Sequence, residues 1–239
     1  MQLKAKKIKK ETKGIFSLIL EKPENFMFYP GQFLDIELPV NDPKGNTRIL
    51  SISSSPSEDF IMLTFKLTSS PFNKKLQDLK VGDLISSSYP AGTVVIDDSS
   101  PIIFMAGGIG IAPHRSMIKW AVDQSRLNRD QKLNLPITLI YSNSDSDFIF
   151  KKELDQWVKT YPKLTIHYIV TSKDGRLDSE KLKLYPIPYL RGAEASSAYT
   201  LYPIFYLAGP PSMVDDFENI LLNLGIDETS IRTDRFDGL

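Results

Sequence analysis

The 239-residue chain contains no cysteine. That excludes disulfides, thiolate zinc sites and cysteine-ligated iron–sulfur clusters, so any redox chemistry needs an organic cofactor. Histidine is nearly absent as well. His114 and His167 are the only two, and they stand far apart without ligand partners at metal spacing, which argues against a metal site. There is no excess of charge: 29 Lys and Arg balance 29 Asp and Glu, so a general nucleic-acid partner is not expected. The basic start alternates lysines with Leu3, Ala5 and Ile8 and reads as a solvated strand rather than a polyanion site. It lacks the apolar stretch of a signal peptide, and no later run reaches membrane-spanning length. These absences predict a soluble, cytoplasmic protein.

What is present points to two domains. Over the first hundred residues, short apolar or alternating runs at 15–20, 32–38, 48–53, 60–67 and 84–89 join the basic first strand, separated by Gly and Pro turn signals. Six strands at this spacing predict a small antiparallel β-barrel. One helix is expected within it at 72–79, with Asn73 as candidate cap. From Pro101 the period changes. Apolar strands at 102–106, 137–141, 164–170 and 204–208 alternate with helical patterns at 150–161, 178–184 and 213–224, which predicts a doubly wound parallel α/β sheet. Ser212 is the expected cap of the last helix. The boundary is placed at 98/99, giving domains 1–98 and 99–239. Tyr185 to Pro203 mixes prolines, tyrosines and small residues and reads as a surface loop, with a lid or partner-docking segment as the functional alternative.

The densest signal is the stretch from Pro101 to Pro113, PIIFMAGGIGIAP. A buried strand runs into Gly107, Gly108 and Gly110, and a helix start follows. Unpaired backbone N–H groups and the positive end of a helix dipole would then face one spot, suited to a dinucleotide pyrophosphate. A tight turn without a ligand accounts for the same glycines.

Taken in order, Arg48-Ile-Leu-Ser51, Pro71-Phe-Asn73, Leu79-Lys-Val-Gly-Asp83, Tyr89-Pro-Ala-Gly92, the glycine turn, Leu207-Ala-Gly-Pro-Pro-Ser-Met213 and Asp234-Arg-Phe-Asp-Gly-Leu239 resemble the ferredoxin-NADP reductase superfamily across essentially the whole chain. The resemblance implies an FAD-binding barrel followed by a nicotinamide-nucleotide domain. It assigns Arg48 to the flavin pyrophosphate as a fork-shaped donor. Ile49, Leu50 and Lys66 are assigned to the flavin site, and Ser51 to the isoalloxazine ring. The helix start at Pro71, Phe72 and Asn73 is assigned to the same diphosphate. Gly107, Gly108, Ile109, Gly110, Asn143, Ser144, Gly209, Pro210, Pro211 and Met213 are assigned to the nicotinamide nucleotide, with Gly110 keeping space for its phosphates. Phe236 would lie against the flavin ring, which makes Ser51 and Phe236 the residues implied at the reacting rings; a hydrophobic plug pinning the tail is the alternative for Phe236.

Three positions depart from the family pattern: Leu50 replaces an aromatic residue, Ile109 a threonine and Ala208 a cysteine. The resemblance implies an FAD-dependent NAD(P)H oxidoreductase that takes hydride from nicotinamide and passes electrons to a separate carrier protein, an oxygenase component or a small molecule. Asp145 and Asp147, after the second strand of the parallel sheet, would repel a 2′-phosphate and favour NADH, unless Lys151, Lys152 or Arg176 turns inward. A reductase of free flavin and a non-catalytic redox-sensing subunit are the competing readings.

Overall fold

A computed structural model of the chain describes residues 1–126, 135–185 and 202–236. It divides into two compact units: Met1–Ile96 with Ala112–Gln124, and Asp97–Ile111 with the chain from Ser125 onward.

The first unit holds six strands, β1 (Gln2–Thr12), β2 (Ile15–Glu21), β3 (Phe33–Glu37), β4 (Thr47–Ser51), β5 (Phe60–Lys66) and β6 (Leu84–Ser87). They form an antiparallel sheet in the order β4-β3-β6-β1-β2-β5. A bridge from Ile52 to Leu63 joins its two ends, so the predicted barrel is what forms. Alternation in the sequence drives this. Leu3 and Ala5 of β1 face inward with Leu18, Leu20, Leu34, Ile36, Ile61, Leu63 and Phe65, while the intervening lysines face water. At the closure three buried hydroxyls satisfy one another: Ser17 meets Thr64 at 2.9 Å and Ser53 meets Thr64 at 2.7 Å.

Helix α1 (Pro71–Asp78) crosses the barrel and buries Phe72 and Leu76. Its cap is Ser70 rather than Asn73. The Ser70 hydroxyl accepts the Asn73 N–H at 3.1 Å, and Pro71 takes the first helical position, where a missing N–H costs nothing. Helix α2 (Ile111–Gln124) packs on the 53–58 loop of the same unit. Arg115 of α2 is 3% exposed. It donates to the Ser53 carbonyl at 2.7 Å and forks onto Glu58 at 2.9 and 3.1 Å, while the Ser116 hydroxyl donates to the Ser54 carbonyl at 2.6 Å.

The second unit is a parallel sheet in the order β11-β10-β7-β8-β9, comprising β7 (Ile102–Gly107), β8 (Ile137–Asn143), β9 (Leu164–Val170), β10 (Ile204–Gly209) and β11 (Ile231–Arg235). The two central strands, β7 and β10, are buried at every residue, as an unbroken apolar run requires. Among the described residues the unit also holds helices α3 (Lys151–Thr160), α4 (Thr171–Asp174), α5 (Ser179–Leu184) and α6 (Pro211–Asn223). Helix α6 has no side-chain cap; Pro210 precedes it with Pro211 at its first position, so Ser212 is inside the helix. Strand β11 is an addition to the sequence reading. Its IRTDR run carries too little apolar pattern to stand out, and its pairing with β10 from Phe205–Ile231 to Gly209–Arg235 is a purely tertiary event. The segment singled out between Tyr185 and Pro203 lies mostly outside the described residues.

Arg115→Ala should lower the unfolding free energy by about 3–5 kcal/mol, because it strands a half-buried carboxylate and a buried carbonyl. Replacing Arg115 and Glu58 together by methionine should recover most of that loss in urea unfolding.

Candidate functional site

Two sets of sequence-predicted residues come together, one in each unit. In the barrel, β4 alternates. Ile49 points outward and is 63% exposed, whereas Arg48 and Leu50 share the other face, with Leu50 against the barrel core and Ser51 buried at the strand end. The Arg48 guanidinium lies 5.0 Å from the centre of the Phe72 ring. One of its nitrogens donates to the carbonyls of Lys44 and Gly45 at 2.9 Å and of Thr47 at 2.8 Å. The other pairs with Asp42 at 3.0 Å. Asp42 also accepts the Phe72 N–H at 3.1 Å and the Lys44 N–H at 2.9 Å. Those two backbone donors, with the Arg48 charge, hold the Asp42 carboxyl below the usual carboxylate range. Arg48, the first turn of α1 and the 42–45 turn therefore form a working anion cradle, and Asp42 is the group in it. Asn73 turns aside to donate to the Lys66 carbonyl at 2.8 Å and to the Thr68 hydroxyl at 2.9 Å. That is why Lys66 is near: its backbone positions Asn73.

In the second unit, β7 starts the sheet in both directions, with β8 on one side and β10 on the other. The strand order reverses there, and open α/β sheets bind ligands at the carboxyl ends beside such a reversal. Gly107–Gly110 and Gly209–Met213 both lie at that edge. Their glycines do different jobs. A Cβ on Gly110 would stand 2.0 Å from the Ala208 carbonyl oxygen and 2.7 Å from the Gly209 nitrogen. The expectation that Gly110 keeps room for phosphates is therefore corrected: it lets the turn touch the β10 backbone. A Cβ on Gly107 would meet the Met213 sulfur at 1.9 Å, so Met213 fills the space above Gly107 rather than leaving it to a ligand. Gly108 is the open one. Its φ is +53°, a conformation glycine adopts freely, and its Cβ direction meets only Asn143 Oδ1, at 3.9 Å. Ile109 is buried.

Beside that turn, Asn143 ends β8 and Ser144 follows it. The Asn143 amide donates to Asp145 Oδ1 at 3.1 Å, and Asp145 also accepts the Asp147 N–H at 2.9 Å. The carbonyl of Asn143 accepts from the Thr171 hydroxyl at 3.3 Å and that of Ser144 from the Ser172 N–H at 3.3 Å, tying the loop to α4. Asp145 thus braces its own loop at this edge. Lys151 is turned away from it, paired with Asp155 at 2.6 Å and 4.3 Å from the Tyr168 ring centre. At the tail, the Phe236 N–H donates to the Gly209 carbonyl at 3.0 Å, so Phe236 sits beside Gly209 and Pro210.

Residues 104–219 match the oxidoreductase NAD-binding domain family. The chain is 24% identical over 98% of its length to flavohemoprotein B of Dictyostelium discoideum and 26% identical over 87% to the toluate 1,2-dioxygenase electron transfer component of Pseudomonas putida. It spans 58% and 59% of those proteins. The ferredoxin-NADP+ reductase of Plasmodium falciparum superposes with a TM-score of 0.78 at 20% identity, covering 98% of this chain and 95% of that one.

The fold is therefore that of the ferredoxin-NADP+ reductases. Within a superfamily fold the site must be argued from residues, and two here escaped the sequence reading. Tyr141 is fully buried, with its hydroxyl donating to the Gly108 carbonyl at 2.9 Å and accepting the Ile149 N–H at 3.3 Å; it pins the open glycine in place. Asp234, opposite Ala208 in the β10–β11 register, has its carboxyl raised to about 6 by burial. An apolar strand end gave no signal for the first; the second stands in the Asp234–Leu239 motif, which drew attention to Phe236 and not to this carboxylate.

In this reductase-fold chain Gly110→Ala should cost about 3 kcal/mol in thermal unfolding through backbone overlap, and Gly108→Ala only about 1 kcal/mol, the cost of a left-handed alanine. Because Asp234 titrates higher folded than unfolded, its contribution is fully favourable below pH 3.8 and is lost as pH rises toward 6. Asp234→Asn should therefore stabilise the protein by about 2 kcal/mol at pH 7 and not at all near pH 3.5, as read by denaturant titration at the two pH values.

Proposed function

We propose that this chain is a flavin-dependent NAD(P)H oxidoreductase, the reductase part of an electron-transfer system, with residues 1–98 holding the flavin and 99–239 the nicotinamide nucleotide. The observation that carries the reading is the pair of phosphate-suited sites: an anion cradle at Arg48 and Phe72 whose stand-in is a carboxylate, and an open Gly108 at the point of strand-order reversal. The cradle's donors and charge fit a flavin phosphate. Arg48 and the α1 start would hold it, Ser51 would meet the ring, and Leu50 would offer an aliphatic surface.

The turn at Gly108, with Asn143, Ser144 and the Gly209–Pro211 edge, would take the nicotinamide nucleotide, and Phe236 would flank the reacting rings. Gly110, Gly107 and Met213 serve by shaping the turn. A flavin held by Arg48 and the α1 start would supply hydride-accepting chemistry that asks for no protein acid or base. The chain's contribution is to orient the reacting rings. The Asp145 and Asp147 charges beside Asn143 and the engagement of Lys151 elsewhere favour NADH over NADPH.

The acceptor is a separate protein or small molecule. The Pseudomonas relative's own designation as an electron transfer component supports a protein partner. No helix among the described residues is long and apolar enough to cross a membrane, which suits an acceptor met in solution.

Protein supplied with FAD should show the flavin absorption band, and NADH should bleach it anaerobically at least about tenfold faster than NADPH, a difference of about 1.4 kcal/mol in barrier. Failure of both nucleotides to bleach it would remove the assignment; equal rates would remove only the NADH preference.

A further inference from the structure

The anion cradle of the barrel already has an occupant. The backbone donors that a flavin diphosphate would use there are committed, and the Arg48 charge is already paired. The Phe72 N–H goes to Asp42, that of Asn73 to the Ser70 hydroxyl and that of Lys74 to the Ser70 carbonyl, while Pro71 has none. Arg48 divides its two terminal nitrogens between three turn carbonyls and Asp42. The Asp42 side chain is only 1% exposed, and helix α1 has no acidic residue of its own in its first turn. Asp42 therefore supplies, from elsewhere in the chain, the negative charge that this helix end and Arg48 attract.

We propose that Asp42 is a specificity-determining residue: an internal anion that competes with the flavin diphosphate for Arg48 and the first turn of α1. The inference rests on the reading of the barrel as a flavin site and adds to it which flavins the barrel favours. Riboflavin carries no phosphate, so binding it leaves the Asp42 contacts intact. FAD must bring two phosphate charges to the same donors. Either the diphosphate displaces Asp42, breaking a buried ion pair and two backbone hydrogen bonds, or it stays beside a like charge in a poorly solvated place, and both are unfavourable. The phosphates that ordinarily tighten a dinucleotide's grip then add little, and the barrel exchanges its flavin instead of retaining FAD. Displacement would move the buried Asp42 with the exposed Pro43, Lys44 and Gly45 that follow it; the barrel strands need not move.

The test is equilibrium binding of riboflavin, FMN and FAD to flavin-free protein, followed by quenching of flavin fluorescence, for wild type, Asp42→Asn and Asp42→Ala. The wild-type protein is expected to bind FAD within about tenfold of riboflavin. Asp42→Asn keeps the size of the side chain and removes its charge; it should tighten FAD by about tenfold or more while leaving riboflavin unchanged, with Asp42→Ala following the same direction. Wild-type protein that holds FAD a hundredfold or more tighter than riboflavin overturns the proposal without need of a variant. So does unaltered or weakened FAD binding in folded variants whose riboflavin affinity is intact. Absence of binding by all three flavins to wild type would instead take away the flavin site itself, and this proposal with it.

Discussion

The ion pair between Arg48 and Asp42 is the contact on which the barrel's candidate site turns. A partly buried guanidinium and the N-terminus of a helix both demand a negative partner, and Asp42 answers both at once, at 3.0 Å and 3.1 Å. Around that carboxylate the rest arranges itself. Arg48 is drawn over the Phe72 ring, the 42–45 turn folds back onto β4, and Asn73 is left to bind the Lys66 carbonyl. The geometry that makes this an anion site is also what makes it selective among anions. Any ligand phosphate must be a better partner for Arg48 than a carboxylate already in place.

The parallel sheet obeys a different constraint, close approach of backbone to backbone. Strands β7 and β10 are neighbours, and the chain leaves one of them through three glycines. Gly110 lets the turn rest on the Ala208 carbonyl, and Gly107 makes room for Met213. Only Gly108 remains facing outward, with its carbonyl held by Tyr141. A cluster that reads as one phosphate motif is thus mostly a packing device with a single open position. Polar groups that serve it are paid for locally: Asp145 braces the loop after β8, and Phe236 is anchored by its backbone to Gly209.

Much of this was legible from residue order. Alternating lysines and apolar residues in β1, the unbroken run of β7 and the change of period after Pro101 each specify how one stretch buries its side chains, and burial of side chains is a local property of sequence pattern. The helix caps were less legible, since Ser70, Asn73 and Ser212 are all competent cap residues and only the chain's path selects Ser70. Strand β11 had no readable pattern because an edge strand with mostly polar residues is made by its neighbour.

By itself, then, the sequence determined the two-part architecture and the residue types available to meet an anion, because hydrophobic period and residue type are intrinsic to the chain. Tertiary structure alone decided which of those residues stand open. Asp42 lies 30 residues before Phe72 and Ala208 nearly a hundred after Gly110. Whether a donor or a glycine faces a ligand or another part of the protein depends on what folding brings beside it, and no local pattern carries that information.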